Sequence, residues 1–395
     1  MKSKPESAEE GLIRAFERRL RRKIRAHVRG IGLSLDGGWG MQGVQASKEA
    51  VRAFHARQRR ERLAGAKGFL DSQLDRRLVH FAAGHEVQVA RIQPRLELVE
   101  SDTLGGDLFR IASLTWSVPV SQGYGRRMRF LVWDEWVGKL IGIIALGDPV
   151  FNLRVRDEFV GWDASDRSQR LVDVMDGYVL GAVPPYSMLL GGKLVAALLR
   201  TRDIRDAFWA RYRESRGVIS GERKGAALVM VTTSSALGRS SIYNRVSLGG
   251  LHYLKAVGFT AGYGHFHVDG DLFADIREYL VLRKHSYASD YRFGKGPNWK
   301  FRAIRAAFEL MGIDRDVLLH GVKREVFVCR LARNAERVLR GEDPAPDYGD
   351  LLSVSEVGEL ALDRWIRPRA LRCPDFSSWK REDLRGLLES SCAGE

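Results

Sequence analysis

The residues with the most chemistry per position lie between Ala226 and Val268, AALVMVTTSSALGRSSIYNRVSLGGLHYLKAVGFTAGYGHFHV. An apolar run, Ala226 to Val231, has the length and branching of a buried strand. It stops at Thr232-Thr233-Ser234-Ser235 and is followed by Gly238-Arg239-Ser240-Ser241 and Tyr243-Asn244-Arg245. Guanidinium, hydroxyl and amide groups are those that usually contact phosphate and sugar. With helical geometry after Leu237, Ser241 and Arg245 share a face at i, i+4. The plainer reading makes Thr232 to Ser235 helix caps and Asn244 the holder of a turn, and both can hold together. The stretch closes on His265-Phe266-His267. On a strand these two imidazoles point to one face, as chelation of a single divalent ion requires.

That pair supports a metal-dependent reading. His265 and His267 would hold Mg²⁺ or Mn²⁺, with His252 or Asp269 as a third ligand. The metal would polarise a phosphate oxygen. A tyrosine on a following helix would attack the phosphodiester, with Tyr279 first and Tyr287 or Tyr291 as substitutes. Histidine–hydrophobe–histidine is the literal pattern of HUH nucleases and transposases. The plainer reading is a buried Phe266 flanked by two structural histidines. A further loop, Phe293-Gly294-Lys295-Gly296-Pro297-Asn298-Trp299-Lys300, offers Lys295 and Asn298 to a phosphate and Trp299 to a base; a turn opening the helix that follows is the alternative. No cofactor beyond the conditional metal is indicated.

The elements that must position these groups read as a mixed α/β (α+β) chain with a central, largely antiparallel sheet. Residues 1–29 hold ten Lys/Arg and four Glu. Leu12, Ile13, Phe16, Leu20, Ile24 and Val28 recur at helical spacing opposite Arg14, Arg18, Arg21, Arg22, Arg25 and Arg29. Such a helix is either docked with a solvated face or an arm lying along phosphates. Gly30 to Gly43 reads as a linker and Lys48 to Arg62 as a second basic helix. Alternation predicts strands in LFRIASLTWSV, RRMRFLVWDE and GKLIGIIALGDPVF, and another over Val155 to Val160. A helix is expected from Ser165 or Asp166 to Tyr178. After Leu189-Leu190-Gly191-Gly192-Lys193 comes an apolar helix, Leu194 to Arg200. The glycine pair could present backbone N–H groups to a phosphate or simply allow close packing. Leu272 to Arg283 and Phe301 to Met311 read as helices. The segments divide as a basic helical region, 1–105, a central α/β region, 106–311, and a helical C-terminal lobe, 312–395.

The totals narrow the function class. The 395 residues carry 64 Lys+Arg against 49 Asp+Glu, a net charge of +15. Such an excess favours DNA or RNA as partner, although an Arg-rich chain from a GC-rich genome would look the same. With 45% hydrophobic residues the chain can fill a core. Cys329, Cys373 and Cys392 form no metal-type or disulfide pattern, which fits a reducing cytoplasm. No apolar run approaches the ~20 residues of a membrane helix. No GxxxxGK[ST] is present, so motor activity would come from a partner such as a helicase.

The blocks YGRRMRFLVWDE, GKLIGIIALGDPVFNL, GYVLGAVPPYSMLLGGKLVA, TTSSALGRSSIYNR, GYGHFHV, FGKGPNWKFR and HGVKREVFVCRLARNAE resemble the DruA family of Druantia antiphage systems, from the first basic helix to about Arg369. The resemblance implies a bacterial cytoplasmic protein of antiviral defence, with relatives in mobile elements and other defence proteins as partners. It brings no defined reaction. A fold similar to the GNAT acyltransferases is a third reading, carried by the antiparallel strands, the Gly-Gly helix opening and Leu254-Lys255-Ala256-Val257-Gly258-Phe259. The sequence departs from that superfamily in its adjacent, unspaced glycines and in Leu254 standing where a tyrosine is expected. The leading expectation is a DNA-binding component that uses Arg239, Ser240, Ser241, Tyr243, Asn244, Arg245, Lys295, Asn298 and Trp299.

Overall fold

A computed structural model describes residues 8–30, 48–100, 103–118, 120, 123, 125–214, 225–236, 238–265, 268–288, 297–319 and 321–389. In chain order the first elements are α1 (Ala8–Gly30), α2 (Lys48–Arg77), β1 (Pro94–Leu98), α3 (Leu104–Leu114), β2 (Arg127–Asp134) and β3 (Lys139–Gly147). Next come α4 (Arg154–Val160), α5 (Ala164–Arg170), β4 (Val174–Ala182), α6 (Gly191–Ala197), α7 (Arg202–Tyr212) and β5 (Met230–Ser234). They are followed by β6 (Ser247–Leu248), β7 (Leu251–His252), β8 (Lys255–Phe259), α8 (Gly270–Leu282), α9 (Pro297–Met311) and β9 (Glu325–Arg330). The chain closes with α10 (Ala335–Leu339), α11 (Val354–Ala361), α12 (Arg367–Arg372) and α13 (Asp383–Glu389). Two compact units interleave in sequence: Met1–Gln58 with Ala261–Lys323, and Arg59–Thr260 with Arg324–Glu395. This differs from the consecutive three-part division, which follows composition along the chain.

The larger unit is built on a seven-stranded sheet in the order β1-β2-β3-β4-β5-β9-β8. All neighbours are antiparallel except β4 and β5. This is the largely antiparallel sheet expected. β3 is buried almost throughout because both faces are covered. Ile144 and Leu146 pack into one core, Ile143 and Ala145 into another. A two-faced strand therefore reads as a continuous apolar run.

Three strand assignments change. Residues 104–114 form α3, not a strand. Thr103 caps it, accepting from Gly106 N at 3.4 Å, and the buried set Leu108, Phe109, Ile111, Ala112 and Leu114 follows helical spacing. Val155 to Val160 lies in α4, which ends at Gly161 in the left-handed conformation. The helix expected to reach Tyr178 stops at Arg170. Asp163 and Asp166 form its capping box, and Val174–Ala182 is β4.

In the smaller unit, α1, α8 and α9 share a core. Ile13, Leu20, Ile24 and Val28 meet Leu272, Ile276, Tyr279 and Leu280 of α8 and Ile304, Ala307 and Phe308 of α9. Docking of the apolar stripe of α1 removes its cost in water, roughly 2 kcal/mol for each fully buried Leu or Ile. No helix is long and apolar enough to cross a membrane among the described residues.

Candidate nucleic-acid interface

In α1 the charges are sorted by face. Its carboxylates are engaged. Glu17 accepts from Arg21 Nε at 3.1 Å, from the Tyr279 hydroxyl at 2.9 Å and from Arg283 Nη2 at 3.2 Å. Glu10 pairs with Arg283 at 3.0 Å, and Glu9 with Lys284 at 3.6 Å. Burial alone would raise the Glu17 carboxyl, but its hydrogen bonds from Tyr279, Arg21 and Arg283 hold it below the usual range. On the outer side Arg18, Arg22 and Arg29 are exposed, and no carboxylate pairs with them among the described residues. At i, i+4 and i+11 they lie in one line about 16 Å long. The helix is thus docked and also presents a purely cationic edge.

In the larger unit, the Gly238–Arg245 block is a pinned turn. Glu325 opens β9 and is buried. Its Oε2 accepts from Ser240 N at 2.8 Å and from Asn244 Nδ2 at 2.9 Å. Asn244 Nδ2 also donates to Ser240 O at 2.7 Å, and Ser240 Oγ accepts from Tyr243 N at 3.0 Å. The helix expected after Leu237 is a single 3₁₀ turn, Tyr243–Arg245; Leu237 itself lies outside the described residues. The Tyr243 ring packs edge-on against Phe327 at 5.4 Å. Burial pushes its hydroxyl up to about 12, opposed by a hydrogen bond with Thr233. Arg239, Ser241 and Arg245 remain exposed. Asn244 and Ser240 thus hold the turn while the two arginines face solvent. Thr232 and Thr233 are buried ties between strands rather than helix caps, donating to Asp176 Oδ1 at 2.9 Å and Gly177 O at 2.7 Å.

The remaining candidates lie in the smaller unit. His265 stands outside any strand; only the bridge Tyr263↔Leu319 flanks it. Its ring leans on Phe301 at 5.5 Å. Burial, and then Lys300, lower its imidazole to about 4, so it is neutral at pH 7. His267, Tyr291 and Lys295 lie outside the described residues, as does the side chain of Asn298. No group of three His, Cys, Asp or Glu fit to hold a metal exists among the described residues. Asp269 caps α8, accepting from Leu272 N at 2.8 Å, and also accepts from Arg57 at 2.9 Å. His252 hydrogen-bonds Ser247 at 2.7 Å in the β6–β7 hairpin of the larger unit. Tyr279 is fully buried with its hydroxyl spent on Glu17 and Arg283. Trp299 is buried edge-on against Phe273 at 5.5 Å, under Arg277. Lys300 donates to Val268 O at 2.8 Å.

Residues that sequence reasoning passed over join Arg245. Lys193 of α6, Arg364 of the π-helical turn Leu362–Ile366 and Arg372 of α12 bring positive charge to one place. Burial first, then the fields of Arg245, Arg364 and Arg372, depress the Lys193 ammonium. Its Nζ lies 5.5 Å from the ring centre of Trp365. The glycines before it divide the two readings of that pair. A Cβ on Gly191 would sit 2.6 Å from Tyr186 O, so close packing requires that glycine, whereas Gly192 faces open space.

The family described as Druantia protein DruA matches residues 45–341. The chain belongs to the DruA family. It is 49% identical over 378 residues to Druantia protein DruA of Escherichia coli (strain UMEA 4076-1), covering 96% of this chain and 94% of that relative. No solved structure matches. The Arg239–Arg245 turn and His265 both fall within the family span. Arg364 and Arg372 lie beyond it but inside a chain covered almost end to end by that relative.

Proposed function

We propose that this DruA-family chain is the nucleic-acid-holding component of an antiphage defence system. It grips the phosphate backbone of DNA, with RNA as the competing polynucleotide, through basic edges on its two units. It works in the cytoplasm beside other proteins of the system, and a helicase would supply the motor that the sequence lacks. The observation that carries this reading is the sorting of charge on α1. Its glutamates turn to Arg283, Lys284 and Tyr279, while Arg18, Arg22 and Arg29 form an outer line with no carboxylate partner among the described residues. Phosphates along a backbone match a line of guanidinium groups, and each one neutralised adds about 0.9 to the salt slope.

The test is fluorescence anisotropy of labelled duplex DNA, single-stranded DNA and RNA across a range of NaCl concentrations. The triple variant R18A/R22A/R29A should bind more weakly, with a log K against log [salt] slope lower by about 2.7. Circular dichroism should stay unchanged because all three side chains point away from the core. Wild-type affinity and slope in the variant would remove α1 from the interface.

A further inference from the structure

β4 and β5 pair in parallel over only three positions: Val174↔Met230, Met175↔Val231 and Asp176↔Thr232. Beyond these, β4 continues with β3 and β5 with β9. Next to the Thr232–Asp176 side-chain bond of the last pair, the Thr233 hydroxyl donates to Gly177 O and bridges the two strands once more. By the alternation of strand side chains, Asp176 lies on the face of Val174 and Met230, and Thr233 on that of Met175 and Val231. At this one parallel pair the two strands part toward their carboxyl ends.

The chain leaving each strand carries a cation to that end. After β4 it reaches Lys193 on α6. After β5 it reaches Arg245, beside Tyr243, whose hydroxyl is tied to Thr233. α6 packs on the Tyr243–Arg245 turn and on the π-helical turn, and the latter packs on α12. Lys193 Nζ lies 5.5 Å from the Trp365 ring centre, next to Arg364, and Arg369 of α12 donates to Met188 O at 3.2 Å just before α6, so Arg364 and Arg372 come from the C-terminal part of the chain to the same region. Among the described residues no carboxylate pairs with Lys193, Arg245, Arg364 or Arg372, and Arg372 Nε donates only to Pro368 O at 3.1 Å. Acids exist next door, but Asp363 and Glu359 both go to Arg367. Four cations gathered without a counter-charge repel one another, and a bound polyanion would relieve that cost.

Shape distinguishes this cluster from α1. A line of arginines suits phosphodiesters spaced along a backbone. Convergence on one lysine suits several charges carried by one group. We propose that Lys193, Arg245, Arg364 and Arg372 form a site for a compact, multiply charged phosphate, either the terminal phosphate of a polynucleotide or a free polyphosphate. The site does not depend on the α1 reading.

The experiment is calorimetric titration of the full chain with inorganic tripolyphosphate, then with matched oligonucleotides bearing a 5′-phosphate or a 5′-hydroxyl. The variant is R364A/R372A, whose two side chains are exposed, so folding is unaffected. Wild type should bind tripolyphosphate, or prefer the phosphorylated end about tenfold, and the variant should lose about tenfold in whichever is seen. Tripolyphosphate binding without an end preference identifies a free polyphosphate; an end preference identifies the polynucleotide terminus. Neither response in wild type, or an unchanged variant, overturns the site. R18A/R22A/R29A should keep both responses, so failure of the α1 interface leaves this site standing.

Discussion

The two cationic regions of this chain were assembled by different means. The edge of α1 is written in consecutive turns of one helix, and its counter-charges were absorbed locally by Arg283 and Lys284. The cluster around Lys193 draws on four elements spread over 180 positions, and only folding makes them neighbours. A linear charge pattern depends on one helix staying docked. A convergent one depends on a whole sheet and the turns that leave it. The two should therefore fail under different insults.

The sharpest test of that difference is Glu17→Ala. It strips an acceptor from Arg21, Tyr279 and Arg283 at once and should cost the smaller unit about 3 kcal/mol. Urea unfolding should show an early transition, and duplex binding should fall with it while tripolyphosphate binding persists. Parallel loss of both would mean that the regions are not separable.

Next in size is the response to acid, in which His265 of the smaller unit and Asp173 and Asp176 of the larger unit should act with opposite sign. His265 has a folded-state value near 4, below its usual 6.5. The unfolded chain then binds the extra proton between these values. The stability that His265 contributes is present above pH 6.5 and lost as pH falls toward 4, by up to about 3 kcal/mol. In the larger unit, burial pushes Asp173 and Asp176 up to about 6 from 3.8, against hydrogen bonds from Ala227 N and Thr232. There the folded state binds the extra protons, so the stability that these two groups contribute is present below pH 3.8 and lost as pH rises through 6. D176N should raise the stability of the larger unit at pH 8 by about 1–2 kcal/mol and flatten its profile between pH 4 and 6. Hydrogen exchange of the wild type and D176N at pH 5 and pH 8 would read this group by difference, and the same slope in both proteins would contradict its environment.

A smaller effect is expected at the pinned turn. Asn244→Ala removes the bonds to Ser240 O and Glu325, worth about 1–2 kcal/mol. Loosening Arg245 should weaken tripolyphosphate binding severalfold in calorimetry without touching the α1 salt slope. Smallest of all, Ser241→Ala should move stability by less than about 0.5 kcal/mol in urea melts, because the side chain is exposed and makes no hydrogen bond among the described residues. A larger change would give Ser241 a role that its position does not explain.

What could be read from sequence follows the same divide. The β2–β3 hairpin and the α1 stripes were legible because their periods are local. The turn-holding role of Asn244 was legible as an alternative, yet its acceptor, Glu325, lies 81 positions away. α3 was misread because LFRIASL satisfies an alternating pattern almost as well as a helical one, and the cap at Thr103 decided between them. Tyr279 and Trp299 looked like chemistry because hydroxyl and indole are versatile. Folding spent them on Glu17, Arg283 and Phe273. Lys193, Arg364 and Arg372 left no local signal, since a lone cation in an amphipathic helix looks like any solvated charge.

Unit boundaries at Thr260 and Arg324 carry one more consequence. Thr260 follows β8 and Arg324 precedes β9, and the two strands are hydrogen-bonded neighbours. Thr260 N donates to Arg324 O at 2.9 Å and Arg324 N donates to Thr260 Oγ1 at 3.0 Å. Residues 261–323 therefore leave the larger unit and return to it at adjoining positions, as an insertion would, while the other crossing, Gln58 to Arg59, lies inside α2. Sites with adjoining ends tolerate such grafts. A chain beginning at Arg59, with 261–323 replaced by a tight Asn-Gly turn, should preserve the sheet register and its cation cluster. The larger unit would then be a transplantable frame, and the helical one an exchangeable attachment.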